Sequence, residues 1–422
     1  MRRRRVGAGA AAGNRPDLPE AVSDRARPGP VAVRIGTAAA GGGQVPGDHQ
    51  SGIRGRGGLP EVQQDPISQV GEQDSTATPD PAAAPGPVQA LREIGFWLER
   101  SRAQTHRVKA YRRAADIVAG LSDDDLAAHR NSGNWQDISG IGPKTAAVIA
   151  QACSGAVPDY LVELRRAAQP IGVPGRPIRT LLRGDLHTHS DWSDGGSPIA
   201  EMMGVAAALG HEYCALTDHS PRLKVANGLS ADRLRRQLDV VAELNERLAP
   251  FRILTGIEVD ILDDGALDQR ADLLAELDIV VASVHSNLRA DSETMTRRMV
   301  YAVANPNVDV LGHCTGRLIT GERGTRPESV FDAEMVFEAC RQYGTAVEIN
   351  SRPERLDPPS RLLKLAVEMG CEFAIDTDAH APGQLDWQGY GCERAIANGV
   401  APERIINTKP LDELLAWTRR TQ

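Results

Sequence analysis

Between Asp185 and His380 a short apolar run ends seven times in a polar residue suited to binding a metal or a substrate. The runs close at His187-Thr188-His189, Thr217-Asp218-His219, Gly256-Ile257-Glu258, Ser283-Val284-His285, Gly312-His313, Glu348-Ile349-Asn350 and Asp376-Thr377-Asp378-Ala379-His380. Helical spacing fills the intervals, over 198–209, 231–248, 266–277, 292–304, 328–343, 359–369 and 389–398. Strand-then-helix units repeated in one direction predict an α/β domain with a parallel sheet. Ligand-type residues at every strand end predict that the sheet closes as a barrel, because barrel active sites lie where the strand-to-helix loops meet.

Upstream the pattern changes. Val88, Leu91, Ile94, Phe96 and Leu98 begin one helix, and Val108, Tyr111, Ala114, Ala115 and Val118 mark another. Leu121-Ser122-Asp123-Asp124-Asp125 reads as the capped start of a third. A small all-α domain is therefore expected over 86–169. Three prolines and two glycines between Pro170 and Pro177 predict a linker over 170–183, and the barrel domain takes 184–422. Residues 1–85 are rich in Gly, Ala, Pro and Arg without sustained periodicity. They bury too little apolar surface to offset their ordering entropy, so a disordered tail is expected. The run Arg2-Arg3-Arg4-Arg5 fits contact with nucleic acid, a solvated tail or an over-extended reading frame equally.

Composition narrows the class. Of 422 residues, 41% are hydrophobic and 25% charged, as in ordinary globular chains. A net charge of −8 excludes a global nucleic-acid signature, so such binding has to come from a local patch. No apolar stretch approaches a membrane span, and no apolar region follows the N-terminal arginines as in a secretory signal. The six cysteines form no CxxC pair and read as reduced thiols. A cytoplasmic location is the expectation.

Six of the ten histidines lie at the strand ends. His187 and His189 point the same way along a strand, as do Asp378 and His380. With Asp194, His219, Glu258, His285 and His313 they make nine nitrogen or oxygen ligands. Nine are too many for one ion of four- to six-fold coordination and suit two or three. Glu258 is the natural bridge, having two carboxylate oxygens. Imidazole with carboxylate favours zinc, manganese or iron. Such a cluster holds phosphate oxygens and acidifies water, which implies hydrolysis of a phosphate ester, with Glu258, Asp378 and His219 carrying the catalysis. Cations for the substrate phosphate are sought after the strand ends, at Arg222, Lys224, Arg317 and Arg352. A surface salt bridge explains each of them equally well. Asn350, at the one strand end without a ligand, is left to orient substrate or water.

These motifs resemble the PHP (polymerase and histidinol phosphatase) family, over roughly 184–410. The resemblance implies a distorted (β/α)7 barrel with a trinuclear site. One ion would sit on His187, His189, Glu258 and Asp378, a second on Glu258, His285 and His313, and a third on Asp194, His219 and His380. Asp194 stands where many PHP phosphatases carry histidine, as in the barrel that ends bacterial family X DNA polymerases, which also carry a sequence similar to His313-Cys314-Thr315-Gly316-Arg317.

Gly140-Ile141-Gly142 between two short helices reads as a helix-hairpin-helix, whose glycines let backbone N–H groups approach a phosphate. Lys144 adds charge, as do Lys109 and Arg112 in Arg107-Val108-Lys109-Ala110-Tyr111-Arg112-Arg113. Backbone contacts to DNA without sequence readout are expected. An ordinary glycine-bearing helical turn is the alternative. The module resembles the N-terminal 8-kDa domain of family X polymerases, where Tyr111 and Lys144 match binding positions. Val148 falls where some members carry a Schiff-base lysine, so no lyase activity is expected. Only a short stretch separates this module from the barrel, leaving no room for a polymerase palm, so no DNA synthesis is expected.

Three readings follow. A metal-dependent phosphoesterase acting on DNA, as a 3′–5′ exonuclease or 3′-end-cleaning enzyme, uses both domains. A small-molecule phosphatase of the histidinol phosphate type leaves the hairpin unused. A non-catalytic DNA-binding protein leaves the complete ligand set unused. On the first reading, deletion of 87–165 is expected to impair action on oligonucleotides and spare small esters.

Overall fold

The computed structural model describes residues 84–321 and 324–419. The expected tail, but for its last two residues, lies outside the described residues. Helix α1 (Pro87–Arg100) opens with proline in its first turn, where no N–H is required. It is buried along nearly its whole length, with Leu91, Ile94, Phe96 and Leu98 at most 1% exposed. Against it pack α2 (Thr105–Ala119), α4 (Pro143–Cys153) and α5 (Asp159–Ala167), while α3 (Asp123–Ser132) follows α2 with no buried residue. The Ser122 hydroxyl caps α3 by accepting from the Asp125 N–H, and Gly133 ends it at φ 72°.

Seven parallel strands follow in sequential order: β1 (Gly184–Thr188), β2 (Tyr213–Leu216), β3 (Arg252–Asp260), β4 (Ile279–Ser283), β5 (Val310–Leu311), β6 (Ala346–Asn350) and β7 (Phe373–Asp376). The sheet nearly closes into a barrel. Between β1 and β7 the seam has a single bridge, Thr188 to Ala379. Side chains complete it: Asp376 Oδ1 accepts from Leu186 N (2.9 Å), and Asp185 Oδ1 accepts from Thr377 N (3.2 Å).

Alternate strand residues separate two environments. Ala215, Leu254, Ile279, Val281, Val310, Ala346 and Ala374 form the inner cluster, stoppered by Leu414 and Trp417 of the last helix (Leu411–Thr418). Continuing the same parity up the strands reaches Glu258, His285, Glu348 and Asn350. The apolar floor thus rises directly into a polar mouth. The opposite parity packs outward on the helices.

Two expectations change. The 266–277 helix shrinks to Ala271–Leu274, because the chain after β3 folds back on itself. Ile261 bridges Leu267, and Asp268 N donates to Asp260 O (3.0 Å). The expected linker is a packed strap with a short helix, Arg176–Arg179. A Cβ on Gly172 would lie 2.0 Å from Gly389 O, and one on Gly175 would lie 2.4 Å from Glu393 N, so only glycine permits that approach. The helical module and the barrel helix Ile199–Ala208 also share one hydrophobic cluster.

Candidate metal centre

The nine expected ligands converge on Glu258, which is 1% exposed at the end of β3. Its Oε1 lies 2.8 Å from His313 Nε2 and 3.2 Å from His285 Nε2. Its Oε2 lies 2.8 Å from His219 Nδ1, 3.4 Å from His187 Nε2 and 3.6 Å from His189 Nε2. Asp378 Oδ1 is 3.5 Å from His189 Nε2, and Asp194 Oδ1 is 3.4 Å from His219 Nε2 and 3.2 Å from His380 Nε2. Three groups have ligand atoms within 4.8 Å of one another: His189, Asp194, His219 and His380; His187, His189 and Asp378; His219, Glu258 and His285.

Local backbone geometry aims two of these side chains. The close approach of Gly312 to Ser283 allows no side chain, since a Cβ would lie 2.2 Å from the Ser283 hydroxyl. The chain then turns at φ 20° in His313, and Asp378 has φ 51°. Such conformations in non-glycine residues persist only where surrounding contacts over-determine them, and they gather at functional sites.

The site fits divalent cations. His187 Nε2, both nitrogens of His189 and His285 Nε2 are buried without a hydrogen-bond partner. That many unmet polar atoms in one place would be costly in a purely structural cluster. Charge balance agrees. Burial pushes Glu258 upward, but His285, His187 and His219 outweigh it and hold the carboxyl well below its ordinary range. Against their own burial, Glu348 and Glu258 raise His187 well above the usual imidazole value, and Glu258 and Asp194 raise His219 to about 10. Burial and the neighbouring His380 and His219 keep His189 neutral. Cations taken up here displace imidazole protons.

Other residues hold the ligands. Glu348 Oε1 is 2.6 Å from His187 Nδ1, and its Oε2 accepts from the His313 backbone N–H. Asp260 Oδ1 is 3.3 Å from His285 Nδ1. A carboxylate on the far ring nitrogen fixes the tautomer and leaves the other nitrogen free to ligate. The inward parity of Glu348, two residues before Asn350, was the available signal for it. Arg355 Nε pairs with Asp378 Oδ2 at 3.3 Å, and its Nη1 is buried without a hydrogen-bond partner. It lies in an irregular loop, where no periodicity points to it.

The expected substrate cations divide. Arg352 reaches the centre, with Nη1 3.0 Å from Asp378 O and 2.9 Å from His380 Nδ1. Asn350 Nδ2 donates to Asp378 Oδ2 and Glu348 Oε2, both at 3.2 Å, so its amide braces a ligand. Arg317 donates to Arg355 O (3.0 Å) and Leu356 O (2.6 Å) and pairs with Glu328, which makes it a prop for the Arg355 loop. Arg222 and Lys224 are exposed after β2, and neither bonds to any of the nine ligands among the described residues.

In the helical module, Gly140 takes φ 95° at the hairpin, and a Cβ there would meet Ile117 at 2.7 Å. Gly142 opens onto free space, and Lys109 and Lys144 are exposed. Tyr111 is turned inward, 5% exposed and stacked on Tyr160, and burial pushes its phenol up to about 12. Arg112 is also internal. Its guanidinium donates to Glu99 Oε1 (2.8 Å) and Oε2 (2.7 Å) and to Glu201 on the barrel. Both side chains are committed to packing rather than offered to a ligand. No helix among the described residues is long and apolar enough to cross a membrane.

A nearly closed parallel barrel whose mouth gathers six imidazoles and two further carboxylates about one central glutamate defines a metal-dependent hydrolase of phosphate esters. Comparison with known proteins agrees. The PHP domain model matches residues 185–352, and the helix-hairpin-helix domain model matches 83–155. A DNA polymerase/3′-5′ exonuclease PolX of Bacillus subtilis is 39% identical over 262 residues, 61% of this chain. The chain spans 45% of that relative's length. A probable phosphatase of Thermoanaerobacter sp. is 32% identical over 235 residues, 53% of this chain and 89% of its own. A histidinol phosphate phosphatase from Lactococcus lactis, solved with zinc, L-histidinol and phosphate, is 18% identical, covering 52% of this chain and 94% of its own at a TM-score of 0.37, too loose a likeness to bear on function. The chain belongs to the PHP family.

Proposed function

We propose that the protein hydrolyses phosphate esters at DNA ends, as a 3′–5′ exonuclease or 3′-end-processing enzyme without DNA synthesis. The observation that carries this reading is the seating of the helical module on the rim of the metal centre. Arg102, in the turn after α1, donates to Glu354 (3.0 Å) and Thr320 (3.2 Å), which lie in loops at the barrel mouth. From that turn α2 leads to Arg113 and Ile117, which flank hairpin residue Gly140. At 1.5 Å per residue the hairpin lies about 12–18 Å along α2 from the mouth. A backbone held at the hairpin is then a few nucleotides from the metal centre.

His187, His189, Asp194, His219, Glu258, His285, His313, Asp378 and His380 would hold two or three zinc, manganese or iron ions. Bound there, the ions supply Lewis-acid polarisation of a phosphoryl oxygen and a more acidic water. Glu258 stays ionised at the centre, and Asp378 is kept ionised by Arg352, His189 and Arg355 against its burial. Arg352 and Arg355 direct positive charge to the mouth, where an anionic ester arrives. Glu348 and Asp260 keep the imidazole rings oriented. Lys109, Lys144, Gly140 and Gly142 would meet the DNA backbone without reading sequence.

The test is a substrate panel on manganese- or zinc-loaded protein: oligonucleotides with 3′-hydroxyl, 3′-phosphate and abasic ends, histidinol phosphate, and a generic phosphate ester. Turnover of the oligonucleotides at higher kcat/KM than the small esters is expected, and Asp378→Ala should lose every activity. Preference for histidinol phosphate would replace this reading with the small-molecule one, which the extended match to a probable phosphatase favours.

A further inference from the structure

We propose that helix α1 is a positioning element of the metal centre, with Glu99 and Arg100 holding, through the segment Pro382–Trp387, the ligand His380. This rests on the reading of His380 as a metal ligand and not on any choice of substrate.

The segment leaves the barrel immediately after His380 and lies along the C-terminal half of α1. Gly383 N donates to Glu99 Oε2 (2.9 Å). The approach is backbone to backbone, since a Cβ on Gly383 would lie 2.1 Å from Phe96 O and 2.8 Å from Arg100 N. Arg100 Nε pairs with Asp386 Oδ2 at 2.5 Å, and Trp387 Nε1 donates to Arg100 O at 3.0 Å. These contacts connect directly to the ligand. His380 N donates to Gln384 Oε1 within the same segment (2.8 Å). The Trp387 ring lies 6.0 Å from the Arg352 guanidinium, whose Nη1 is 2.9 Å from His380 Nδ1.

On its inner side the same stretch is tied to β1 and the following loop, by His189 N to Ala379 O (2.8 Å) and Gly196 N to His380 O (2.7 Å). The stretch is therefore gripped between the barrel and α1. It also contains the strained φ of Asp378, a conformation that needs contacts on both sides to persist. Without the α1 grip, His380 keeps its inner hydrogen bonds but loses the outer wall that sets its side chain against Asp194. The helical module is then part of the catalytic architecture as well as a docking surface.

The test uses the full chain loaded with cobalt(II), titrated while visible absorption reports each binding step. Arg100→Met, Asp386→Asn and Glu99→Gln should each weaken one step about tenfold or more, the range seen when outer supports of metal ligands are removed, and leave the other steps within about twofold. For a generic phosphate ester, kcat should fall while KM stays nearly constant. The charge-swapped pair Arg100→Asp with Asp386→Arg should recover part of the lost affinity. Arg130→Ala, on the exposed face of α3, should match the wild type. If Glu99→Gln fails to fold, Asp386→Asn still decides, because that side chain is 30% exposed. Titrations of folded variants that superimpose on the wild type overturn the proposal. The readout is metal binding, so it holds whether or not DNA proves to be the substrate.

Discussion

Replacing Arg112 by leucine separates two roles for this residue, a contact to DNA and an internal latch. The Arg112 side chain is 11% exposed, and its partners Glu99 and Glu201 are 5% and 9% exposed. Burial disfavours its charge, but Glu99 and Glu201 more than compensate and raise its pKa. Leucine would leave two carboxylates facing each other across the module–barrel contact. Glu99 would keep one donor, Gly383 N, and Glu201 would lose its arginine. Removing one partner of a buried ion pair costs about 3–5 kcal/mol. Against a total stability of roughly 5–15 kcal/mol, that is a large loss. Urea unfolding followed by tryptophan fluorescence measures it directly, with Trp97 and Trp387 placed to report on this contact. The triple replacement Arg112→Leu, Glu99→Gln, Glu201→Gln should regain most of the loss, because no uncompensated charge remains. A loss under about 1 kcal/mol in Arg112→Leu, together with a tenfold weaker affinity for a DNA duplex, would refute the latch.

Three further outcomes are expected. Glu348→Gln should weaken metal binding about 10–100-fold by isothermal titration, because the amide keeps one acceptor oxygen where the carboxylate serves both His187 Nδ1 and the His313 N–H. Removal of divalent ions with a chelator should abolish ester hydrolysis and lower the melting temperature, both restored by added manganese or zinc, since ions that bind only the native site stabilise it. Burial and the nearby Arg179 push His211 down to about 3, so the native state holds it neutral while the unfolded chain protonates it near 6.5. Its contribution is complete above that value and declines as pH falls, by about 1.4 kcal/mol per unit between pH 6 and 4. Urea midpoints across this range should fall less steeply for His211→Gln, and identical slopes would contradict the assignment.

The candidate metal ligands other than Asp194 were legible because they sit at the ends of apolar runs, where strand periodicity and composition change together. A parallel barrel has to bring such ends to one face, so position along the chain implied position in space. Glu348 followed the same parity and was readable in retrospect. Arg355 was not, because an irregular loop has no period from which to infer direction. A basic stretch suggests a DNA contact for Arg112, and a family resemblance suggests one for Tyr111, but both side chains are internal. Their burial depends on Glu99, Glu201 and Tyr160, which approach from other elements.

The sequence by itself determined the strand-then-helix order, the parallel sheet, the candidate ligand set and the presence of a hairpin module, since all of these follow from local periodicity and residue chemistry. Tertiary structure alone decided which carboxylates support which imidazoles, and that the presumed linker is a packed strap. It also decided that α1 lies against the loop carrying His380. These relations join residues far apart in the chain, such as Glu99 with Gly383 and Arg100 with Asp386. No local pattern encodes such pairs, because they arise only when close packing excludes water and a buried charge has to find its partner.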